Sequence, residues 1–348
     1  MIIRSTLAAG LAVGLSASAL AQGNVTVYGR IDMGLEMVQR SGGDAPSDSS
    51  GRMFTDTSYW GLRGSEDMGD GMKAYFKLES GFNPNDGRGG AIFNRESYLG
   101  LSGRLGSLQA GHQFAPAVTL TGRLDPFQRS MNGLIQNLMQ TNAGNAQRGT
   151  FSQRQNAVQY ISPTMQGFTV RALYAFSEQF AEPRALNRSR ALGLEYADGP
   201  LYSAFSYESS EIATVPAGGT RRNDTYLGGL TYDLEVVKLH GLYMRNNLEH
   251  APGAHGFMVG ASAPFAGGTV RASYTWRTLR GEDGQDASVA ALGYTYPLSK
   301  RTMVYTSLAY LDNGRQARYA LWPSSKAASL SAPGQDVRSL QVGMRHMF

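Results

Sequence analysis

The stretch VTVYGRIDMGLEM, residues 25–37, alternates with a period of two. Its odd positions are Val25, Val27, Gly29, Ile31, Met33, Leu35 and Met37, and its even positions are Thr26, Tyr28, Arg30, Asp32, Gly34 and Glu36. Successive side chains of a strand point to opposite faces, so this stretch predicts a strand with one apolar and one charged face. A soluble sandwich would turn the apolar face to a core. A membrane barrel turns it to lipid and lines water with the charged face.

The pattern recurs outward from that first strand. Met72, Ala74, Phe76 and Leu78 oppose Lys73, Tyr75, Lys77 and Glu79, while Phe168, Val170, Ala172, Tyr174 and Phe176 oppose Thr169, Arg171 and Ser177. Val270, Ala272, Tyr274 and Trp276 oppose Arg271, Ser273, Thr275 and Arg277. At the end, Leu340, Val342, Met344, His346 and Phe348 oppose Ser339, Gln341, Gly343 and Arg345. Each run is about ten residues, the length of a tilted membrane strand. Short connectors carrying Gly, Pro or Asp (67–71, 103–106, 163–167, 198–200, 297–300) alternate with longer polar ones (40–51, 83–91, 211–221, 247–255, 279–286, 312–335). Short turns on one side and long loops on the other fit periplasmic and extracellular rims. The runs from 25 to 348 count to sixteen strands, so the predicted fold is all-β, a 16-stranded antiparallel transmembrane β-barrel.

Composition agrees. The chain has no cysteine, so no disulfide framework stabilises it, and a closed hydrogen-bonded barrel without free edges is the consistent alternative. Residues 1–21 read as a cleaved signal peptide: Arg4 is the positive n-region, Leu7 to Leu20 the apolar segment, and Ala19-Leu20-Ala21 the small-residue cleavage site. That apolar segment is about 14 residues, short of the ~20 that span a bilayer as a helix. Residues 22–348 then form the barrel domain. The net charge of +5 is spread along the chain, which argues against a nucleic-acid partner.

The longest connector, 114–152, contains a helix-like run at 129–140 between Asp125-Pro126 and Gly144. A connector of this length in a compact barrel signals function: folded inward it narrows the lumen, and left outside it is a surface loop. Strand parity places Arg30, Arg63, Lys73, Lys77, Arg171, Lys238, Arg271, Arg277 and Arg345 on the lumen face, against Asp32, Glu36, Glu79, Glu96, Glu195 and Glu208. The connector adds Arg123, Arg129 and Arg148 against Asp125. An excess of Arg and Lys in a narrow pore predicts a weak anion preference, unless opposite charges pair across the wall and cancel.

Several segments resemble the general porins of Gram-negative bacteria, particularly the betaproteobacterial kind. They are Asn24-Val25-Thr26-Val27-Tyr28-Gly29, Trp60-Gly61-Leu62-Arg63-Gly64-Ser65-Glu66-Asp67, Lys77-Leu78-Glu79-Ser80-Gly81-Phe82, Phe93-Asn94-Arg95, Tyr98-Leu99-Gly100-Leu101 and Ser299-Lys300-Arg301-Thr302. The terminal Val342-Gly343-Met344-Arg345-His346-Met347-Phe348 is similar to that family's last strand. The resemblance implies an outer-membrane homotrimer passing small ions and solutes, with the third long loop folded into each pore. It also implies contacts with outer-membrane lipid and lipopolysaccharide, and recognition of Phe348 by the assembly machinery. Arg95 matches a family arginine and Arg154 lies near another. Tyr59 and His112 stand where arginine is common, and the family's acidic loop motif is missing. The expected pore-lining set is Arg30, Asp32, Arg63, Lys77, Glu79, Arg95, Arg123, Asp125, Arg129, Arg154, Arg171 and Arg271.

Other classes fit less well. A barrel enzyme needs a nucleophile with a positioned base, and His112, His240, His250, His255 and His346 sit in no such context. His250 and His255 lie in a loop without ligand-like spacing, so no metal, cofactor or catalytic residue is expected. A soluble sandwich does not explain the charged second face. A substrate-selective channel shares the fold and would use lumen aromatics such as Tyr28, Tyr75, Tyr202 and Tyr305, whereas Tyr174, Tyr274, Trp276, Tyr294 and Tyr296 suit interface girdles.

Overall fold

In the computed structural model, residues 24–139, 152–177, 188–213, 219–281, 283–322 and 331–348 are described. The proposed signal peptide, 1–21, lies outside them, as does Arg148. Strands β1 (Asn24–Ser41), β2 (Asp48–Phe54), β3 (Ser58–Gly69), β4 (Met72–Asn83), β5 (Arg88–Gly89), β6 (Glu96–Gly103) and β7 (Gly106–Phe114) lead into helices α1 (Pro116–Leu124) and α2 (Gln136–Met139). Then follow β8 (Gln153–Ile161), β9 (Phe168–Ala175), β10 (Ser189–Asp198), β11 (Leu201–Ala213), β12 (Thr220–Asp233) and β13 (Lys238–Leu248). The chain ends with β14 (Ala254–Phe265), β15 (Gly268–Leu279), β16 (Ala287–Pro297), β17 (Thr302–Asn313) and β18 (Asp336–Met347).

All ladders are antiparallel and join strands that neighbour one another along the chain, apart from the two splits below, and β18 pairs with β1 through Arg30↔Met347 to Ser41↔Asp336. The sheet therefore closes. Two wall positions are split: β2 and β3 both pair with β1, and β5 and β6 both pair with β4. Counting each split strand once gives the closed sixteen-stranded barrel that the alternation predicts. Phe348 completes the seam, because its backbone N–H and C=O both bond Gly29 at 3.1 Å.

Exposure follows the parity of the sequence. Val27, Leu35 and Met37 are 62–67% exposed on the outer face, whereas Asp32 and Glu36, between them, are 0% and 1%. Outside, Tyr243, Phe257, Trp276 and Tyr274 stack into an aromatic run toward one rim, with neighbouring ring centroids 4.9–5.7 Å apart. Turns of two to six residues close one rim. The opposite rim carries the longer connectors, led by 115–152 and 314–335.

The helical segment of the long connector differs from the expected 129–140. Helix α1 lies upstream, with Pro116 in its first turn, where the missing N–H costs nothing. Gln128, Arg129 and Met131 take positive φ of 53°, 59° and 61°, and only Gln136–Met139 of the expected run is helical. Asp125 causes this. Its carboxylate accepts the backbone N–H groups of Phe127, Arg129 and Ile135 at 2.9–3.1 Å, replacing the carbonyl partners of a helix.

Candidate channel constriction

The connector after β7 turns inward and packs on the inner wall. Leu120, Leu124 and Phe127 are almost fully buried. They rest over Gly193 of β10, Gly229 of β12 and Gly293 of β16, where an added Cβ would come within 2.7–3.2 Å of the Leu and Phe side chains. Glycine in these strands makes room for the loop. Polar ties fix it further. Asn132 donates to the carbonyls of Ser307 and Ser339 at 3.2 and 2.9 Å, and the guanidinium of Arg277 donates to the Leu138 carbonyl at 2.5 Å. An imidazole nitrogen of His240 bonds the Leu124 carbonyl at 3.0 Å, and Arg345 donates to Ser130 Oγ at 2.7 Å. The inward fold is thus a docked element with wall contacts on several strands.

Charges on the wall sort into two groups. Six lumen-face carboxylates each meet a cation. Asp32 takes Arg345 at 2.6 Å, Glu36 takes Arg52, and Glu79 takes Arg95 at 2.6 Å and Lys77 at 3.4 Å. Glu96 pairs with Lys77, and Glu208 accepts from Arg154 Nε at 2.6 Å. Glu195 takes Arg171 at 3.0 Å and Arg123 at 3.7 Å. Arg30, Arg63, Arg271, Lys73 and Lys238 meet no carboxylate among the described residues. Arg30 donates to the Thr57 carbonyl at 2.7 Å, Arg271 to Thr295 Oγ1 at 2.8 Å, and Arg63 lies 5.0 Å from the Tyr28 ring centroid.

Beside the docked loop, toward the long-loop rim, lies a cavity of about 1010 Å³. Arg30, Arg88, Arg95, Arg129 and Arg154 line it with His112, and among the described residues Glu211 is its sole lining carboxylate. Tyr59, standing where the resembled family has arginine, supports two cations instead: Arg95 lies 4.7 Å and Arg30 5.4 Å from its ring centroid. His112 contacts the Asn94 carbonyl at 3.2 Å from a bulge in β7. On the short-turn side of α1, Arg123 stacks 3.7 Å over Tyr202, with Arg171 alongside on the shared Glu195.

Of the twelve expected pore residues, Arg30, Arg95, Arg129 and Arg154 converge on the cavity. Lys77 and Glu79 form the ion-pair cluster behind Arg95. Arg63, Arg123, Arg171 and Arg271 lie on the inner face away from it. Asp32 and Asp125 are enclosed, at 0% and 1% exposure, so they brace the constriction instead of meeting solute. Burial pushes the Asp125 carboxyl up to about 6, and it lowers Arg129 to about 10. Trp322 and Asp56 were not among the expected residues. Both belong to the network beside the cavity, and neither carries a local sequence signal.

A model of the Gram-negative porin family matches residues 6–316. The chain belongs to that family. Outer membrane porin protein 32 of Delftia acidovorans is 31% identical over 99% of this chain and all of its own. An outer membrane porin of Bordetella pertussis is likewise 31% identical, over 99% of this chain and all of its own. Among solved structures, an anion-selective porin from Comamonas acidovorans superposes with a TM-score of 0.83 at 28% identity, covering 94% of this chain and all of the other. The trimer form of an outer membrane protein of Vibrio cholerae, at TM-score 0.65 and 15% identity, shares the fold. The porin is an outer-membrane channel for passive diffusion of small hydrophilic solutes and ions, not an enzyme. Its lumen is the inner face described above.

Proposed function

We propose that this porin is a diffusion channel with weak anion preference, narrowed by the docked segment 115–139 and lined by the arginines beside it. One observation carries the reading: each of the six wall carboxylates named above is engaged by a cation, while Arg30, Arg63 and Arg271 have no carboxylate partner among the described residues, and Lys73 and Lys238 balance only the cross-strand Asp67 and Asp233 near the short-turn rim. Pairing cancels the acids first, so the residual field is positive. The likeness to an anion-selective porin supports the same reading. Tyr28, Tyr75, Tyr202 and Tyr305 direct their hydroxyls to Glu79, Gln109, Glu195 and Asp32, which supports a bracing role over the aromatic track of a substrate-selective channel.

The functional unit is a homotrimer in contact with outer-membrane lipid and lipopolysaccharide. Residues 1–21 are removed on export, and Phe348 is the end read by the assembly machinery. The test of selectivity is the reversal potential of purified trimers in a planar bilayer under a KCl gradient. A potential of the sign set by chloride is expected. One set by potassium overturns the reading.

A further inference from the structure

Residues 314–322, in the connector between β17 and β18, also turn into the lumen. Asn313 closes its entry: the amide donates to the carbonyls of Tyr319 and Gln335 at 3.1 and 2.7 Å and accepts the Tyr319 N–H at 3.0 Å. Ala317, Tyr319 and Leu321 are almost fully buried, in one apolar cluster with Phe127, Met131 and Leu138 of the 115–152 connector. The two loops therefore pack on each other, not only on the wall. Trp322 lies on this inward course, and three hydrogen bonds hold its backbone and its ring. Its backbone N–H donates to Asn137 Oδ1 at 2.8 Å, its indole N–H to Asp56 Oδ1 at 2.9 Å, and its carbonyl accepts from Gln341 Nε2 at 3.0 Å. Asp56 is fully buried in the break between β2 and β3 and also binds Arg345, which reaches on to Ser130. Trp322 thus joins the wall, the first inward loop and the second, its backbone bonding Asn137 and Gln341 and its indole bonding Asp56. Trp322 remains half-buried and lines the 1010 Å³ cavity with Arg30, Arg129 and Gln136.

We propose that Trp322 is a size-determining residue of this channel, the second jaw of a constriction whose first jaw is the docked segment 115–139. The inference rests on the reading of that cavity as the solute path. A bulky, uncharged ring tethered to Asp56, on a backbone tied to Asn137 and Gln341, acts on solute volume, whereas the arginines of the same cavity act on charge. The separation matters: altering the indole changes the cut-off for neutral hydrophilic solutes such as saccharides, with the ion preference left to Arg30 and Arg129.

The experiment uses full-length trimers. Trp322→Ala is expected to raise single-channel conductance by roughly 1.5-fold, since the narrowest section dominates pore resistance. It is expected to raise the liposome-swelling rate for disaccharides relative to pentoses, with the reversal potential in a KCl gradient unchanged. The chain has no cysteine, so Trp322→Cys supplies a unique thiol. A neutral aromatic methanethiosulfonate reagent is expected to return that variant's open channels toward wild-type conductance, and dithiothreitol to reverse the effect within the same recording. The proposal is overturned if Trp322→Ala and Trp322→Cys conduct and sieve as wild type and the reagent leaves the current unchanged. Failure of the charge reading registers separately, as a cation-directed reversal potential in wild type.

Discussion

Arg30 and Glu79 show how single residues shape the field. Arg30 is satisfied by a neutral carbonyl and a ring, so its charge stays uncancelled, whereas Glu79 holds Arg95 and Lys77 in check. A unit charge about 8 Å from the solute path, at the dielectric of water, is worth about 0.5 kcal/mol, roughly a twofold effect on permeability. Arg30→Gln is therefore expected to lower the chloride-to-potassium permeability ratio about twofold, and Glu79→Gln to raise it by a similar factor, both read from reversal potentials. Equal shifts of one sign would refute the assignment. Asp125 makes a different prediction. Its carboxyl, raised from 3.8 to about 6 by burial, keeps a proton in the docked loop that an undocked loop has released between those values. The increment this adds to docking is present at acid pH and is lost as pH rises through about 6. Carboxyl carbon NMR of labelled aspartate in micelles should show one group titrating near 6, and its absence would remove the argument. Asp125→Ala leaves three buried N–H groups without their acceptor, at about 1–3 kcal/mol each, so enlarged and noisier channels are expected in bilayer recordings.

Among elements, α1 and its cradle are the most sensitive. The helix is held because Gly193 and Gly229 allow Leu120 and Leu124 to reach the sheet. Gly193→Val would put methyl groups where α1 lies, since even a Cβ comes within 2.9 Å of Pro116 and 3.2 Å of Leu120. Overpacking of this kind costs about 1–3 kcal/mol. The strain falls on loop docking, because β10 keeps its ladders to β9 and β11. Faster hydrogen exchange across 116–139 with unchanged exchange in β10 is expected. Equal loosening of both would show that the glycine serves the strand instead. The break at 55–57 works the other way: by interrupting the wall it admits Asp56, which anchors Arg345 and Trp322.

For the whole molecule, closure governs everything else. Pairing of β1 with β18 closes the sheet, so its long strands satisfy their backbone groups within a bilayer, and only the short β2 and β5 pair on one side. Closure also gathers charges from distant segments around one water column, and a field of that origin is screened by salt. The Debye length falls from about 10 Å at 0.1 M to about 3 Å at 1 M. The anion preference of wild-type trimers should therefore shrink toward unity as KCl is raised over that range, measured at a constant concentration ratio. A preference independent of salt would point to a tight binding site and away from a diffuse field.

Sequence alone determined the barrel, its strand number and which side chains face water. Those properties follow from period-two alternation, which is local, and from membrane thickness, which sets run length. Val27, Leu35 and Asp32 each carry that information in their immediate neighbours. The inward loop was legible only as a long connector of family-like position, and its helix was misplaced because Asp125 captures N–H groups up to ten residues away. Only the tertiary structure decided which charges cancel. Arg345 reaches Asp32 across the seam and Arg154 reaches Glu208 across several strands, while Arg30 faces a carbonyl. Pairing energy depends on distance in space, and closing the barrel brings into contact residues as far apart as 32 and 345.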